Sequence, residues 1–281
     1  ATRRGVIERL LAEYPVRPLC QALAVAPSSY YYRAVPNDDL TVLAGIEDVL
    51  TEFPTYGVPR VTAELQRRQY PVNHKRVQRI MRQNDLIRVL RRRVSTTDSR
   101  HGYPRYPNLL KGCEIVRPDQ VWCADITYIH VQHGFIYLAI VLDIFTRSIR
   151  GWYLGRYLSS DLAVYALQMA LAERRPEIHH SDQGVQYAAA GYTERLQAAG
   201  IQISMSAKGR PTDNPFAERV IRTIKEEEVY LNEYRDLADA RAHLSQFIDE
   251  VYQYKRVHSA LAYLTPAEFE SQWYPSQTMA S

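Results

Sequence analysis

The stretch Val121-Trp122-Cys123-Ala124-Asp125-Ile126-Thr127-Tyr128-Ile129 reads as a β-strand with an acid in its middle. β-Branched and aromatic residues favour a strand and Asp does not, so Asp125 calls for a reason beyond packing. The turn His133-Gly134 follows, then a continuous apolar run over residues 135–143, expected as a strand buried on both faces. A third strand is expected over residues 148–154. Beyond it helix and strand patterns alternate: helix 161–174, strand 177–180, helix 188–199, strand 201–204, and a helix from Asn214 to about Tyr230. Three strands in a meander followed by alternating helix and strand predict a mixed α/β sheet with helices on its faces. Residues 236–273 read as helical, with a break at Thr265-Pro266 and a short last helix.

With 281 residues, 46% hydrophobic and 23% charged, the composition is that of a globular chain, which excludes disorder as the dominant state. The length suggests about two domains, at roughly 100–200 residues each. The longest uncharged apolar stretch, residues 135–142, is too short to cross a bilayer, and Ala1-Thr2-Arg3-Arg4-Gly5 lacks the apolar middle of a signal peptide. Cys20, Cys113 and Cys123 are three in number and widely spaced, so neither a disulfide framework nor a zinc pair of cysteines is indicated. The expectation is a soluble protein of a reducing compartment, without membrane partners.

The net charge of +4 hides an asymmetry. Between Arg60 and Arg117 lie 15 basic and four acidic residues, a local charge of +11 that leaves −7 for the rest. Such polarity is the footprint of a nucleic-acid-binding protein. Residues 4–13, 19–23 and 28–32 read as short helices around the turn Ala24-Val25-Ala26-Pro27, a helix-turn-helix candidate. A helix runs from Pro36-Asn37-Asp38-Asp39 to about Phe53, and a second helix-turn-helix follows Tyr56-Gly57-Val58-Pro59. Its second helix opens at Asn73, buries Val77, Ile80 and Met81, and turns His74, Lys75, Arg76, Arg79 and Arg82 largely outward, as a phosphate-lined groove requires. Residues 88–118, with Arg91-Arg92-Arg93, Gly102, Pro104, Pro107 and Pro118, read as a basic linker that tracks a DNA backbone rather than packing in a core.

Asp182 lies in His179-His180-Ser181-Asp182-Gln183-Gly184, a loop after a short strand. Glu218 lies about one turn into a helix that Asp213 or Asn214 caps and Pro215 opens. With Asp125 these acids come from two strand-associated positions and a helix start, and can converge. Converging carboxylates need cations, and hard oxygen ligands favour Mg²⁺ or Mn²⁺. Two such ions can activate a water or a 3′-hydroxyl and stabilise the leaving oxygen of a phosphodiester. Seven residues on from Glu218, Lys225 shares its helix face, with Arg222 between them. The histidines of His179-His180 suit structural places beside a strand better than ligation, Asp143 reads as a buried hydrogen-bonded acid, and Arg256 and His258 suit packing or DNA contact equally.

Residues 122–269 resemble the catalytic core of bacterial insertion-sequence transposases with a retroviral-integrase-like, ribonuclease-H-like fold, and most closely the second-reading-frame product of the insertion-sequence-three type. The resemblance rests on the stretch from Trp122 to Ile129, on Asp143, Arg147 and Gly151-Trp152, and on the stretch from His179 to Tyr187. It extends through Ser204-Met205-Ser206, Gly209 and Asp213-Asn214 to Glu218, and then from Tyr252 to Leu261, Tyr263, Thr265 and Pro266. Upstream, Tyr56-Gly57 through Leu86 resembles the helix-turn-helix that precedes that core. The family's 35-residue gap between second Asp and Glu is met by Asp182 and Glu218. The resemblance implies that Asp125, Asp182 and Glu218 are the catalytic metal-binding triad and that Lys225 contacts the DNA end. It further implies cleavage and strand transfer on double-stranded transposon-end and target DNA, with two Mg²⁺ ions, or Mn²⁺ in their place. Homo-oligomers on DNA, fusion with or binding to an upstream-frame helix-turn-helix protein, and a place in the bacterial cytoplasm at the nucleoid are also implied. Gln183, Val185, Pro215 and Ala262 depart from the family's usual residues without touching the triad.

The expected division is a helix-turn-helix-like module at 1–38, a second at 39–90, a basic linker at 91–118, the catalytic core at 119–232 and a helical extension at 233–281. DNA contacts are expected from Lys225, Arg222, Lys75, Arg76, Arg79, Arg82, Arg91, Arg92 and Arg93. The competing readings are a catalytically inactive DNA-binding protein or repressor derived from such an enzyme, and a metal-dependent nuclease without strand transfer.

Overall fold

The computed structural model describes residues 3–31, 39–87, 105–207 and 213–274. The expected contacts Arg91, Arg92 and Arg93 lie outside them. The chain forms two compact units, residues 1–44 and 45–281. In the first, helices α1 (Arg3–Leu10), α2 (Val16–Ala22) and α3 (Pro27–Tyr31) close around Ile7, Leu19 and Cys20. Helix α4 spans Asp39–Glu52.

In the second unit, α5 (Val58–Arg67) and α6 (His74–Gln83) form a helix-turn-helix around Val61, Leu65, Val77, Ile80 and Met81. Asn73 starts α6 by accepting the Arg76 N–H at 2.9 Å. The sheet has the order β3-β2-β1-β4-β5. Strands β1 (Val121–Val131), β2 (Gly134–Asp143) and β3 (Ile149–Gly155) form the antiparallel meander; β4 (Ile178–Ser181) and β5 (Gln202–Met205) add in parallel on the far side of β1. This is the ribonuclease-H-like arrangement.

Alternation along β1 divides the core. Val121, Cys123, Ile129 and Val131 face the cluster that holds α10 (Pro215–Glu227) and α11 (Leu237–Ser245). Trp122 and Ala124 face α7 (Ser160–Leu171) and α9 (Ala190–Ala198). Helix α7 lies close on β3: a Cβ at Gly151 would come within 2.3 Å of the Ala166 carbonyl oxygen and 2.6 Å of the Ala170 nitrogen.

The expected helix 188–199 is α9; a further short helix, α8 (Val185–Ala188), precedes it, and the extended Ala189 between them lets Tyr187 and Tyr192 both bury edge to face at 5.4 Å. Two expectations need correction. The described part of the basic linker packs on the core. Tyr106, Leu110 and Ile115 join the two apolar clusters, the Leu109 N–H donates to Ser204 Oγ at 2.9 Å, and Arg117 pairs with Glu177. Its apolar residues, not its charges, decide its path. The C-terminal segment is not one helix up to Thr265. α11 continues as a wider π-type helix over Gln246–Lys255, a short bridge joins His258 to Leu264, and α12 spans Pro266–Trp273, closed by a Thr265–Glu268 capping box.

Candidate active site

Strand β4 pairs with β1 only as far as Cys123↔His180, so beyond Cys123 that edge of β1 is taken over by the start of α10. The side chain of Asn214 donates its Nδ2–H to the Ala124 carbonyl at 3.0 Å. Asp213 or Asn214 was expected to cap α10; Asn214 stands at the cap position, but its side chain makes no such bond. Its amide is turned to the strand instead, because the Ala124 carbonyl at that edge needs a donor.

The junction brings the three acids into one electrostatic neighbourhood. Asp125, on β1, is half-buried and accepts the Ile126 N–H at 2.8 Å. Burial and then the charge of Asp182 push its carboxyl up to about 8; Glu218 adds to the rise and Lys225 opposes it. Asp182 follows β4 directly and accepts the Gly184 N–H at 2.8 Å. A Cβ at Gly184 would stand 2.8 Å from that carboxylate oxygen, which ties the glycine to this turn. Glu218 is exposed in the first turn of α10; burial raises its carboxyl and Arg222, one turn on, lowers it.

Lys225 is half-buried, its ammonium 4.5 Å from the centre of the Tyr128 ring. Burial lowers its pKa and Asp125 raises it. Tyr187 is buried beside the acids, its phenol pushed well up by burial and then by the Asp125 charge, and its hydroxyl finds no partner among the described residues. The Arg147 guanidinium lies 4.3 Å from the Phe216 ring in the first turn of α10. Tyr128, Gly184, Tyr187 and the Asn214 bridge were not found from sequence. Only Gly184 carried a local signal, as the glycine two residues after an acid.

Hard carboxylate oxygens fit a divalent cation such as Mg²⁺ or Mn²⁺, and a cation would offset both the burial of the Asp125 carboxylate and its repulsion by Asp182 and Glu218. As they stand, no three acidic, His or Cys side chains among the described residues are gathered closely enough to hold an ion. Asp125 and Asp182 each turn one oxygen to a backbone N–H, which leaves the second oxygen of each carboxylate outside that bond.

His179 and His180 are buried. His180 Nδ1 lies 2.8 Å from Ser204 Oγ and its Nε2 lies 3.1 Å from the Asp213 carbonyl; His179 Nε2 meets the Tyr192 hydroxyl at 2.9 Å. Asp143 is buried and accepts from the Asp119 and Phe145 N–H groups and from Arg150. Arg256 is buried in a two-bond contact with Glu227, at 2.6 Å for each bond. On α6, Lys75, Arg79 and Arg82 are exposed and Arg76 is half-buried. No helix among the described residues is long and apolar enough to cross a membrane.

A ribonuclease-H-like sheet with acids on its central strand, after its fourth strand and at a following helix start defines an integrase-core protein. Sequence comparison agrees: the Integrase core domain family matches residues 116–211 and a second family of that description matches 199–266, while an HTH-like domain family matches 36–94. The transposase for insertion sequence element IS629 of Shigella sonnei is 33% identical, with 96% of each chain covered. Transposase InsF for insertion sequence IS3A of Escherichia coli K12 is 34% identical over 94% of this chain and 97% of that one. The chain belongs to the IS3 family of insertion-sequence transposases. Among solved structures, a simian T-cell lymphotropic virus intasome chain aligns at 17% identity and a TM-score of 0.49, covering 84% of this chain and 76% of that one. The HTLV-2 integrase catalytic core in complex with magnesium aligns at 16% and 0.43, covering 54% and 96%.

Proposed function

We propose that this transposase is a DDE enzyme that cleaves and joins insertion-sequence DNA ends with Mg²⁺, or Mn²⁺ in its place, held by Asp125, Asp182 and Glu218. The observation that carries the reading is the placement of three acids far apart in sequence: Asp125 on β1, Asp182 directly after β4 beside it, and Glu218 in the first turn of α10, whose Asn214 is bonded to the carbonyl of Ala124. When bound, a pair of such ions would activate a water or 3′-hydroxyl and stabilise the leaving oxygen of a phosphodiester.

The chain's own groups orient the DNA. Lys225, between Tyr128 and the charge of Asp125, offers an ammonium to a backbone phosphate next to the acids. Arg222 extends that positive face from beside Glu218. The face of α6 with Lys75, Arg76, Arg79 and Arg82 holds the duplex through its phosphates, and Arg91, Arg92 and Arg93 are assigned to the same DNA path. Assembly of several copies on paired ends, dependence on an upstream-frame helix-turn-helix protein, the five-part domain division and action at the bacterial nucleoid belong to the same proposal.

The test incubates purified protein with labelled transposon-end DNA and Mg²⁺ or Mn²⁺. Joined products that vanish in Asp125→Asn are expected. DNA binding with no cleavage in either metal, with the upstream-frame protein added, would refute the enzyme reading.

A further inference from the structure

Three acids on three separate elements need something to fix their spacing. The dipeptide Asp213-Asn214 touches all three elements next to the acids they carry. The Asn214 side chain donates to the carbonyl of Ala124, the residue before Asp125. The Asp213 carbonyl meets His180 Nε2 at 3.1 Å, two residues before Asp182. The Asn214 carbonyl accepts the Glu218 N–H at 3.4 Å, the first bond of α10. The dipeptide is itself anchored, since Asp213 Oδ2 accepts the Ala207 N–H at 3.0 Å beyond the end of β5.

The proton arrangement on His180 is consistent with this. Ser204 Oγ accepts the Leu109 N–H, so its own hydroxyl proton is available for His180 Nδ1 at 2.8 Å. With Nδ1 accepting that proton, Nε2 carries the other; it lies 3.1 Å from both Ser206 Oγ and the Asp213 carbonyl, and the carbonyl can only accept. Asn214 is buried at 6% exposure, and its Oδ1 has no hydrogen-bond partner among the described residues. A residue needed only to start the helix would turn its side chain to the first helical N–H groups, as Asn73 does on α6. Asn214 gives up that bond to hold the strand.

We propose that Asp213-Asn214 is a positioning clip that sets Asp125, Asp182 and Glu218 against one another, with the Asn214 amide as the part that decides how well the triad gathers a divalent cation. The inference rests on the triad reading above. Bonds that orient ligand-bearing elements commonly change metal affinity or activity by about 10–100-fold when removed.

The discriminating variant is Asn214→Ser. Serine is a good helix cap, so it keeps or improves the start of α10, but it is too short to reach the Ala124 carbonyl. Mn²⁺ binding is measured by the loss of the free-ion paramagnetic resonance signal, beside circular dichroism and single-turnover cleavage of end DNA. Asn214→Ser is expected to keep its helix signal, bind Mn²⁺ about 10–100-fold more weakly, and lose cleavage rate more than DNA affinity. Mn²⁺ affinity within about twofold of the unsubstituted protein would overturn the clip, taking the 10–100-fold range as the effect required. Should the serine variant not fold, His180→Gln carries the same test on the Asp182 side. Asp125→Asn separates the two claims: if it binds Mn²⁺ as well as the unsubstituted protein, the triad reading fails rather than the clip.

Discussion

Glu227, the last residue of α10, binds two guanidinium groups. Its oxygens lie 2.6 Å from Arg256 Nε and 2.6 Å from Arg256 Nη2, and 3.3 Å from Arg60 Nη1. Arg256 is buried: burial and the Arg256 charge lower the Arg60 pKa, burial also works against the Arg256 charge, and Glu227 raises both. Glu227→Gln therefore leaves two cations facing one another. Breaking a buried pair from one side costs about 3–5 kcal/mol, and glutamine keeps the size and one acceptor, which favours about 3–4. For a unit of this size 1 kcal/mol shifts Tm by about 2–4 °C, so the loss is about 6–16 °C. Arg256→Met is milder, about 1–3 kcal/mol, because Glu227 keeps Arg60 and no charge is stranded. Thermal unfolding followed by circular dichroism gives the order: unsubstituted protein highest, Arg256→Met next, Glu227→Gln lowest. An Arg256→Met protein that melts below Glu227→Gln would refute the claim that Glu227 neutralises two cations.

Burial holds His179 down at about 3 and His258 at about 2, so in the folded protein both stay neutral at ordinary pH. Their protons bind only in the unfolded chain, so stability is full above about pH 6.5 and falls as pH drops below it, by about 2 kcal/mol for each between pH 7 and 5. Urea unfolding at the two pH values checks this; equal stabilities would contradict it. Gly151→Ala forces its methyl against the Ala166 carbonyl and the Ala170 nitrogen of α7, and should lose about 1–3 kcal/mol or more in the same assay. In anisotropy titrations with DNA, Lys75→Ala and Arg82→Ala should each reduce the log–log salt slope by about 1. Arg67→Ala should leave the slope unchanged, because Glu268 already holds that guanidinium; a reduced slope would show that Arg67 reaches DNA.

The sheet was legible because its strands are continuous apolar runs bounded by turn residues, and the meander has short connections. Expected and observed boundaries of β1 to β5 agree within two residues. The acids stood out in the sequence because Asp is out of place inside a strand and because the gap between Asp182 and Glu218 matches the 35 residues of the family it resembles; their role as a triad is the proposal made above. What sequence did not reveal depends on which elements lie side by side. Asn214 and Ala124 are 90 positions apart, and Arg60 and Glu227 are 167 apart. Asn214 looked like a helix cap because local preference is the same whether the amide turns to the helix or to a strand. Lys225 was placed on the right helix face, but its stacking over Tyr128 depends on α10 lying along the edge of β1 that β4 leaves open.

The charge asymmetry takes on a different meaning once pairs are known. Of the basic residues between Arg60 and Arg117, Arg60 binds Glu227, Arg67 binds Glu268, Arg68 binds Glu52 and Glu64, and Arg117 binds Glu177. Most of those acids come from outside the segment, so its surplus of +11 and the deficit of −7 elsewhere are partly the two sides of the same bonds. The more exposed of these, Arg67–Glu268, Arg68–Glu52 and Arg117–Glu177, add little stability singly. Together the pairs do fix which way α5 and α6 face: the cations of α5 turn to acids of α10 and α12, and the polar face of α6 is left outward. Tyr56 reinforces the arrangement, since its buried hydroxyl accepts the Val257 N–H at 3.0 Å beside Arg256. The basic segment thus acts in two directions, with α5 fastening the helix-turn-helix to the end of the helix that carries Glu218 and α6 turning its cations to solvent. Under the function proposed above, a duplex held by α6 would be kept in register with the acids through this polar joint, so Glu227→Gln should slow cleavage of labelled end DNA even at temperatures where the protein remains folded.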